Sequence, residues 1–405
     1  MKKLIYNEVV RIKKLRKLIL LACIIVLIII TYNNFRDYLA QRKDRKQLAQ
    51  IVITDNDSLA DRLQKTLDKK VIELDAPGIQ AAVRIDDFSW DSASGSIDLA
   101  DEEKLTTEHI LRIGSVTKTF TAAVIMKLYQ QGKLNLGDKI KKWFPDFPQA
   151  DNITVRHLLS HSSGIYNYTG NLSVGFKSVF TDKKWDPYQL IEIAADEELN
   201  FTPGTKHLYS NTNFIMLGLI IEKITEKTIT EIFRDYIFEP ARLENTYFVP
   251  YEKIPENLIN GYDFDVIPVG NYTFTPEENS LATMGYSAGA IVSTASDLRQ
   301  WIDYLFKSNF LKKETLSLMK KYIKAQDKDV KKQIGYGLGL RVLKIKGDEL
   351  YGHTGTIPGF GGAVFYCPQK DYSIAVLSNH SIFEQIDVLQ EMIKIINKSN
   401  SKQQG

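Results

Sequence analysis

Ser115 and Lys118, in the tetrapeptide Ser115-Val116-Thr117-Lys118, stand three residues apart, and on a helix that spacing puts a hydroxyl and an amine on one face, where they can share a proton. The spacing recurs at Ser317–Lys320 and Ser399–Lys402, and context separates the three. Ser317 and Lys320 fall in a lysine-rich stretch that reads as a solvated face, and Ser399 falls in a polar tail. Ser115 instead follows Gly114 and opens residues 117–126, apolar nearly all round, which is the pattern of a buried helix. The start of such a helix offers unpaired backbone N–H groups and the positive end of a dipole. A lysine one turn inside is costly to bury unless it is partnered or used. On the tetrapeptide alone two readings stand: Ser115 caps a core helix and Lys118 snorkels outward, or the serine is a nucleophile with an amine beside it.

Two other segments favour the nucleophile. Tyr209-Ser210-Asn211 follows the Pro203-Gly204 turn and precedes an apolar, helix-like run at 214–220. His353-Thr354-Gly355 occurs once, after the strand-like Leu350-Tyr351-Gly352 and before Thr356-Ile357-Pro358-Gly359-Phe360-Gly361-Gly362, a glycine-rich turn that lets backbone approach a ligand closely.

The elements that must position these motifs are legible in outline. Leu59, Leu63, Leu67 and Val71 repeat every four residues, an amphipathic helix started by Asp57 or Ser58. Ile382, Ile386, Leu389, Ile393 and Ile396 form a matching helix near the other end. Residues 79–85, 361–367 and 373–377 read as strands.

In these motifs and their order the chain resembles the serine β-lactamase and penicillin-binding protein superfamily, in its class C-like branch. Further segments carry the resemblance: Ala76-Pro77-Gly78-Ile79, the run 132–138 (GKLNLGD), the run 153–164 (ITVRHLLSHSSG), the run 287–298 (SAGAIVSTASDL) and Tyr336-Gly337-Leu338-Gly339-Leu340. The resemblance implies an α+β fold: an antiparallel sheet flanked by the terminal helices, with residues 120–330 supplying a mainly helical lobe. It implies Ser115 as the acylated nucleophile, with Lys118 and Tyr209 sharing general-base and general-acid work. Asn211, His353, Thr354 and Gly355 would bind substrate, and the backbone N–H groups of Ser115 and Thr356 would form the oxyanion hole. Which of Lys118 and Tyr209 is the base stays open. Class C β-lactamases generally carry lysine at the position of His353, whereas some D-Ala-D-Ala carboxypeptidases carry histidine. A D-alanyl substrate with an anionic end is therefore expected, as a peptidoglycan stem-peptide amide or as D-alanine esterified to teichoic acid. A β-lactamase, or a penicillin-binding sensor without turnover, is the alternative.

Charge and hydropathy bear on compartment. Residues 18–32 carry no charge; as a helix they would span roughly 22 Å, and extension from 15 to 35 brings them near the ~30 Å hydrocarbon core. We expect a cytoplasmic segment over 1–17, an uncleaved signal anchor over 18–33, a stalk over 34–55, the hydrolase domain over 56–396 and a disordered tail over 397–405. Seven basic residues precede the apolar run and five follow it, which favours a cytoplasmic N-terminus, an extracytoplasmic domain and the lipid bilayer as a partner. The first 50 residues hold twelve basic and three acidic residues, so the +3 of the whole chain leaves −6 for residues 51–405. The basic balance thus belongs to the anchor and gives no support for nucleic-acid binding. Cys23 and Cys367 are the only cysteines, so no disulfide can form within the domain, as befits a bacterial, Gram-positive envelope protein. No cofactor or metal is expected: His157 and His161 are four apart, but no glutamate follows His157 as a zinc-protease helix requires. His109, His207 and His380 are assigned no role.

Overall fold

Alternation along the strands decides the architecture. The computed structural model describes residues 51–403, apart from 55, 101–102, 250, 267–269, 276–278, 329 and 382–383. Its strands in chain order are β1 (Gly78–Ile85), β2 (Phe88–Gly95), β3 (Leu111–Arg112), β4 (Tyr247–Phe248), β5 (Gly261–Val266), β6 (Gly270–Phe274), β7 (Ile291–Ser293), β8 (Ile323–Lys324), β9 (Gln333–Tyr336), β10 (Arg341–Ile345), β11 (Asp348–Ile357), β12 (Phe360–Cys367) and β13 (Tyr372–Ser378). Eight of them make an antiparallel sheet in the order β2-β1-β13-β12-β11-β10-β9-β8.

Successive side chains on a strand point to opposite faces. Ala81, Val83, Phe365, Ile374 and Val376 pack outward beneath Leu63, Leu67, Leu389 and Ile393 of the two terminal helices. Ala82, Val364, Ala375 and Leu377 pack inward, in the same core as Phe120 and Trp301. The first terminal helix, Leu59–Glu73, starts where Ser58 Oγ accepts the Asp61 N–H at 3.1 Å. The last runs Gln385–Gln403. Residues 397–403 therefore continue a helix where the sequence reads as a disordered tail. Buried Ile393 and Ile396 hold the helix to the sheet, and the Asn397 amide carries it on, donating to Asp348 at 3.0 Å and accepting from Lys370 at 2.8 Å.

The middle of the chain is mainly helical, as expected. It also contains a three-stranded sheet, β3-β7-β4, and the β5–β6 hairpin. Strands of two or three residues are too short to show alternation in sequence. The apolar run 18–32 lies outside the described residues; among those described, no helix is long and apolar enough to cross a membrane.

Candidate active site

The helix that follows Ser115 is buried through every residue from Thr117 to Met126, so Lys118 is fully enclosed. Ser115 itself sits in a single 3-10 turn, Gly114–Val116, ahead of that helix, which runs Thr117–Gln130. Lys118 Nζ lies 2.9 Å from Ser115 Oγ, 2.7 Å from Asn211 Oδ1 and 2.8 Å from the carbonyl oxygen of Ala288. Burial first, and then the charge of Arg341, push the Lys118 ammonium well below the ordinary lysine range. A neutral amine has two N–H donors and one lone pair. The Ala288 carbonyl and the Asn211 amide oxygen can only accept, so they take both donors, and the lone pair is left for the Ser115 hydroxyl proton.

The Ala288 carbonyl reaches the lysine because the helix Asn279–Gly289 is kinked at Tyr286, whose φ of 35° and ψ of −135° are not helical. A bulky residue at positive φ is a strained position, and Tyr286 is held there buried.

Tyr209 approaches from the other side, its Oη donating to Ser115 Oγ at 2.9 Å. Burial pushes the phenol up to about 12, partly offset by the nearby Arg341 guanidinium. The helix Asn211–Thr225 begins directly after it. Asn211 is oriented by two contacts: its backbone N–H donates to Asn167 Oδ1 at 3.0 Å and its Nδ2 to Thr169 Oγ1 at 3.2 Å.

The third motif ends a strand, as its sequence reads, but the strand runs on further. His353, Thr354 and Gly355 lie in β11 together with Thr356 and Ile357, and the turn expected from Thr356 onward comes only at Pro358-Gly359. Two glycines let this strand touch the Ser115 turn. A Cβ on Gly114, whose φ is +49°, would meet the backbone of Thr356 at 3.0 Å, and a Cβ on Gly355 would meet the Ile113 carbonyl oxygen at 2.0 Å. The backbones at Ser115 and Thr356 thereby border the same cavities. Gly355 provides this close contact and does not line either cavity.

His353 is the clearest departure. Its ring is fully buried, with Nε2 3.0 Å from Tyr336 Oη and Nδ1 on the Thr354 carbonyl. Burial, followed by the charges of Arg341 and Lys118, holds it well below the ordinary histidine range. Both ring nitrogens are thus engaged within the protein, and neither faces the cavities beside Ser115. Thr354 does border the open cavity, and the cation there is Arg341 on β10, buried and bonded to Asp327 and Gln333. Burial raises the Asp327 carboxyl, but hydrogen bonds from His207 and Arg341 overcome this and hold it well below the carboxylate range. Arg341 directly follows the run 336–340 and opens a strand that also carries Lys344, so its residue type alone did not single it out. His207, given no role above, borders this cavity too.

The two sides of Ser115 differ in chemistry. One cavity, of about 290 Å³, is walled by Tyr168, Val179, Leu281, Met284, Ile357 and Pro358, and among the described residues no aspartate or glutamate lines it. The other, of about 760 Å³, is walled by Tyr209 and Thr354 and carries Lys324, Lys328, Arg341, His207 and Asp327. Of the aromatic residues in the segment 166–185, Tyr168 borders the site, Trp185 is buried with its Nε1–H on Ser178, and Phe176 points to solvent. His157 and His161 hold no shared metal position. His157 Nδ1 accepts the Thr154 N–H at the start of its helix, and His161 is enclosed elsewhere. Among the described residues no cluster has the makings of a metal site.

A family model described as Beta-lactamase matches residues 61–391. The chain belongs to the β-lactamase family. Among curated relatives it is 26% identical to Penicillin-binding protein 4* of Bacillus subtilis (strain 168), over 72% of this chain and 66% of that protein. It is 28% identical to Protein flp of Staphylococcus aureus (strain MW2), over 66% of this chain and 52% of that one. The chain thus spans about two thirds and about half of these relatives' lengths. Among solved structures, the D-amino acid amidase of Ochrobactrum anthropi SV3 complexed with D-phenylalanine superposes with a TM-score of 0.78 at 26% identity, covering 84% of this chain and 99% of that one. The D-stereospecific amidohydrolase of Streptomyces sp. gives 0.73 at 28%, covering 83% and 97%. This family assignment identifies the protein as a β-lactamase-fold serine hydrolase and accounts for the two-lobed α+β architecture.

Proposed function

We propose that this β-lactamase-family hydrolase cleaves D-alanyl substrates of the cell envelope through a seryl acyl-enzyme, with Ser115 as nucleophile and Lys118 as its base. The observation that carries the reading is the set of acceptors around Lys118 Nζ, which leaves a neutral amine only its lone pair to offer Ser115. A phenol raised to about 12 is a proton donor at neutral pH and not a base.

In acylation Ser115 Oγ bonds to the substrate carbonyl carbon and its proton passes to Lys118. The oxyanion is received by the backbone N–H groups of Ser115 and Thr356. Tyr209 gives its proton to the departing nitrogen or oxygen as the acyl bond breaks, and the proton that Lys118 took from Ser115 then passes to the Tyr209 phenolate, restoring both groups. Water then attacks the ester, its proton returns along the same groups, and Ser115 leaves as the hydroxyl.

The D-configuration is supported by the similar fold of the D-amino acid amidase and the D-stereospecific amidohydrolase. An anionic leaving group is supported by Arg341, Lys324 and Lys328 on the polar side, since a buried guanidinium suits a carboxylate. A free D-alanyl ester would bring an α-ammonium to Ser115, and among the described residues no carboxylate lines the apolar side to meet it. This favours a peptide-blocked D-alanyl terminus, a carboxypeptidase-like activity, over D-alanyl teichoic acid. We place the domain outside the membrane, held by the apolar run 18–32, on the seven-to-five basic asymmetry.

The test incubates the protein with muropeptides and, separately, with D-alanylated teichoic acid, and measures released D-alanine. Release from muropeptides by the wild type and none by Ser115→Ala is expected. Release from teichoic acid alone would reverse the substrate order, and equal release by Ser115→Ala would remove the nucleophile.

A further inference from the structure

His161, Tyr336 and His353 have no part in the proton transfers above, yet all three are fully buried beside Tyr209. The His161 ring stacks at a tilt on the Tyr209 ring with centroids 4.3 Å apart. Their hydrogen bonds end on backbone atoms at both ends, and backbone atoms have fixed roles. Ser210 N–H can only donate, and it lies 3.2 Å from His161 Nδ1, so that nitrogen is an acceptor. A second donor agrees: Ser163 Oγ donates to Asn213 Oδ1 at 2.7 Å, which turns the Asn213 Nδ2 toward the same His161 nitrogen at 3.2 Å. The His161 proton therefore sits on Nε2 and is given to Tyr336 Oη at 3.1 Å. At the other end the Thr354 carbonyl can only accept, so His353 carries its proton on Nδ1. Its Nε2 then accepts from Tyr336 Oη at 3.0 Å. Every donor points the same way, from Ser210 to Thr354.

We propose that His161, Tyr336 and His353 are positioning residues: a one-directional hydrogen-bonded strut between the Tyr209-Ser210-Asn211 segment and the β11 strand, fixing Tyr209 Oη against Ser115 Oγ. The proposal rests on the serine-hydrolase reading for what the strut serves, though not for its bond order. Both imidazoles are neutral with opposite tautomers, and the direction breaks if either ring gains a second proton. Burial holds both rings well below the ordinary histidine range, which agrees with the bond order. The backbone adds independent support. His161 has a φ of +53°, a left-handed conformation that non-glycine residues seldom adopt, and the two bonds to its Nδ1 and one from its Nε2 hold it there. The two catalytic segments come from distant parts of the chain, and the strut ties them directly through three side chains.

The experiment has two arms. In the wild-type protein labelled with ¹⁵N at histidine, ring-nitrogen NMR should give His161 as the Nε2–H tautomer and His353 as the Nδ1–H tautomer, both unchanged from pH 5.5 to 8.5. The reverse tautomer at either ring, or an imidazolium in that range, would overturn the strut whatever the protein hydrolyses. In the second arm Tyr336→Phe keeps the ring between the two histidines and removes both central bonds. On a small neutral ester kcat should fall roughly ten- to a hundredfold with KM held within about twofold, the loss of orientation for two buried bonds. A loss confined to KM, or to thermal stability with kcat unchanged, would overturn the positioning role. Failure of the hydrolase reading would show separately, as wild-type protein that no fluorophosphonate labels at Ser115.

Discussion

The two faces of the eight-stranded sheet have been given opposite work. The outer face meets the terminal helices through Leu63, Leu67, Phe365, Val376, Leu389 and Ile393, an aliphatic layer whose core is almost entirely hydrocarbon. The inner side carries Lys118, His161, Arg341 and His353, all nearly or fully buried, together with a kinked helix and a left-handed histidine. Burying charge and strain is unfavourable. The arrangement concentrates both where Ser115 needs them and leaves stability to the face that does no chemistry.

Changes on the two faces should therefore separate activity from stability. Lys118→Met exchanges the buried amine for an apolar chain of similar length, and turnover should fall by about a thousandfold or more. Its thermal midpoint should hold or rise, because an amine costly to bury has been removed; a cooperative loss of both would break the comparison. Leu389→Ala, on the outer face, should cost about 2–5 kcal/mol in denaturant unfolding, with kcat per folded, fluorophosphonate-reactive molecule unchanged. Arg341→Gln should lower kcat/KM roughly ten- to a hundredfold on a carboxylate-terminated substrate and far less on a neutral ester. It should also move the acid limb of the pH–rate profile upward, since its charge helps keep Lys118 neutral. A limb that stays in place would mean another group is titrating.

The last prediction concerns pH and leaves the catalytic groups untouched. His161 and His353 are held well below 6.5 by burial, and His380, also by burial, is lowered to about 4. Below about pH 6.5 the unfolded chain binds protons that the folded one refuses, so stability present above that pH is lost as pH falls. Each histidine should contribute a slope of about 1.4 kcal/mol per pH unit until its folded value is reached. Thermal midpoints measured between pH 7 and 4 would check the sign; a flat profile would mean the rings are not neutral in the fold.

How much was legible in the sequence divides along the same line. Leu63, Leu67, Leu389 and Ile393 repeat at helical spacing because burial of one face imposes a period, and β1, β12 and β13 are short, nearly unbroken apolar runs because both of their faces are buried. Ser115, Lys118 and Tyr209 were found because their types and order are specific, and they meet within hydrogen-bond distance. Arg341 and Ala288 were not found as site residues. One supplies a cation from a strand that also carries Lys344 and the other a backbone carbonyl, and neither a single site charge nor a carbonyl leaves a periodic trace. His353 was read by residue type as a substrate ligand, but the Tyr336 hydroxyl that claims its Nε2 comes from β9, which the fold sets beyond β10 from β11. The small sheet β3-β7-β4 escaped because its strands are too short.

One feature of the outer face reaches beyond stability. The helices Leu59–Glu73 and Gln385–Gln403 lie against each other on the side of the sheet turned away from Ser115. The first and last helices of the domain thus form a common handle at its back. A tether, fusion partner or immobilisation tag joined beyond either helix leaves the catalytic mouth unobstructed, and a short peptide joining the two would permit circular permutation with the cleft untouched.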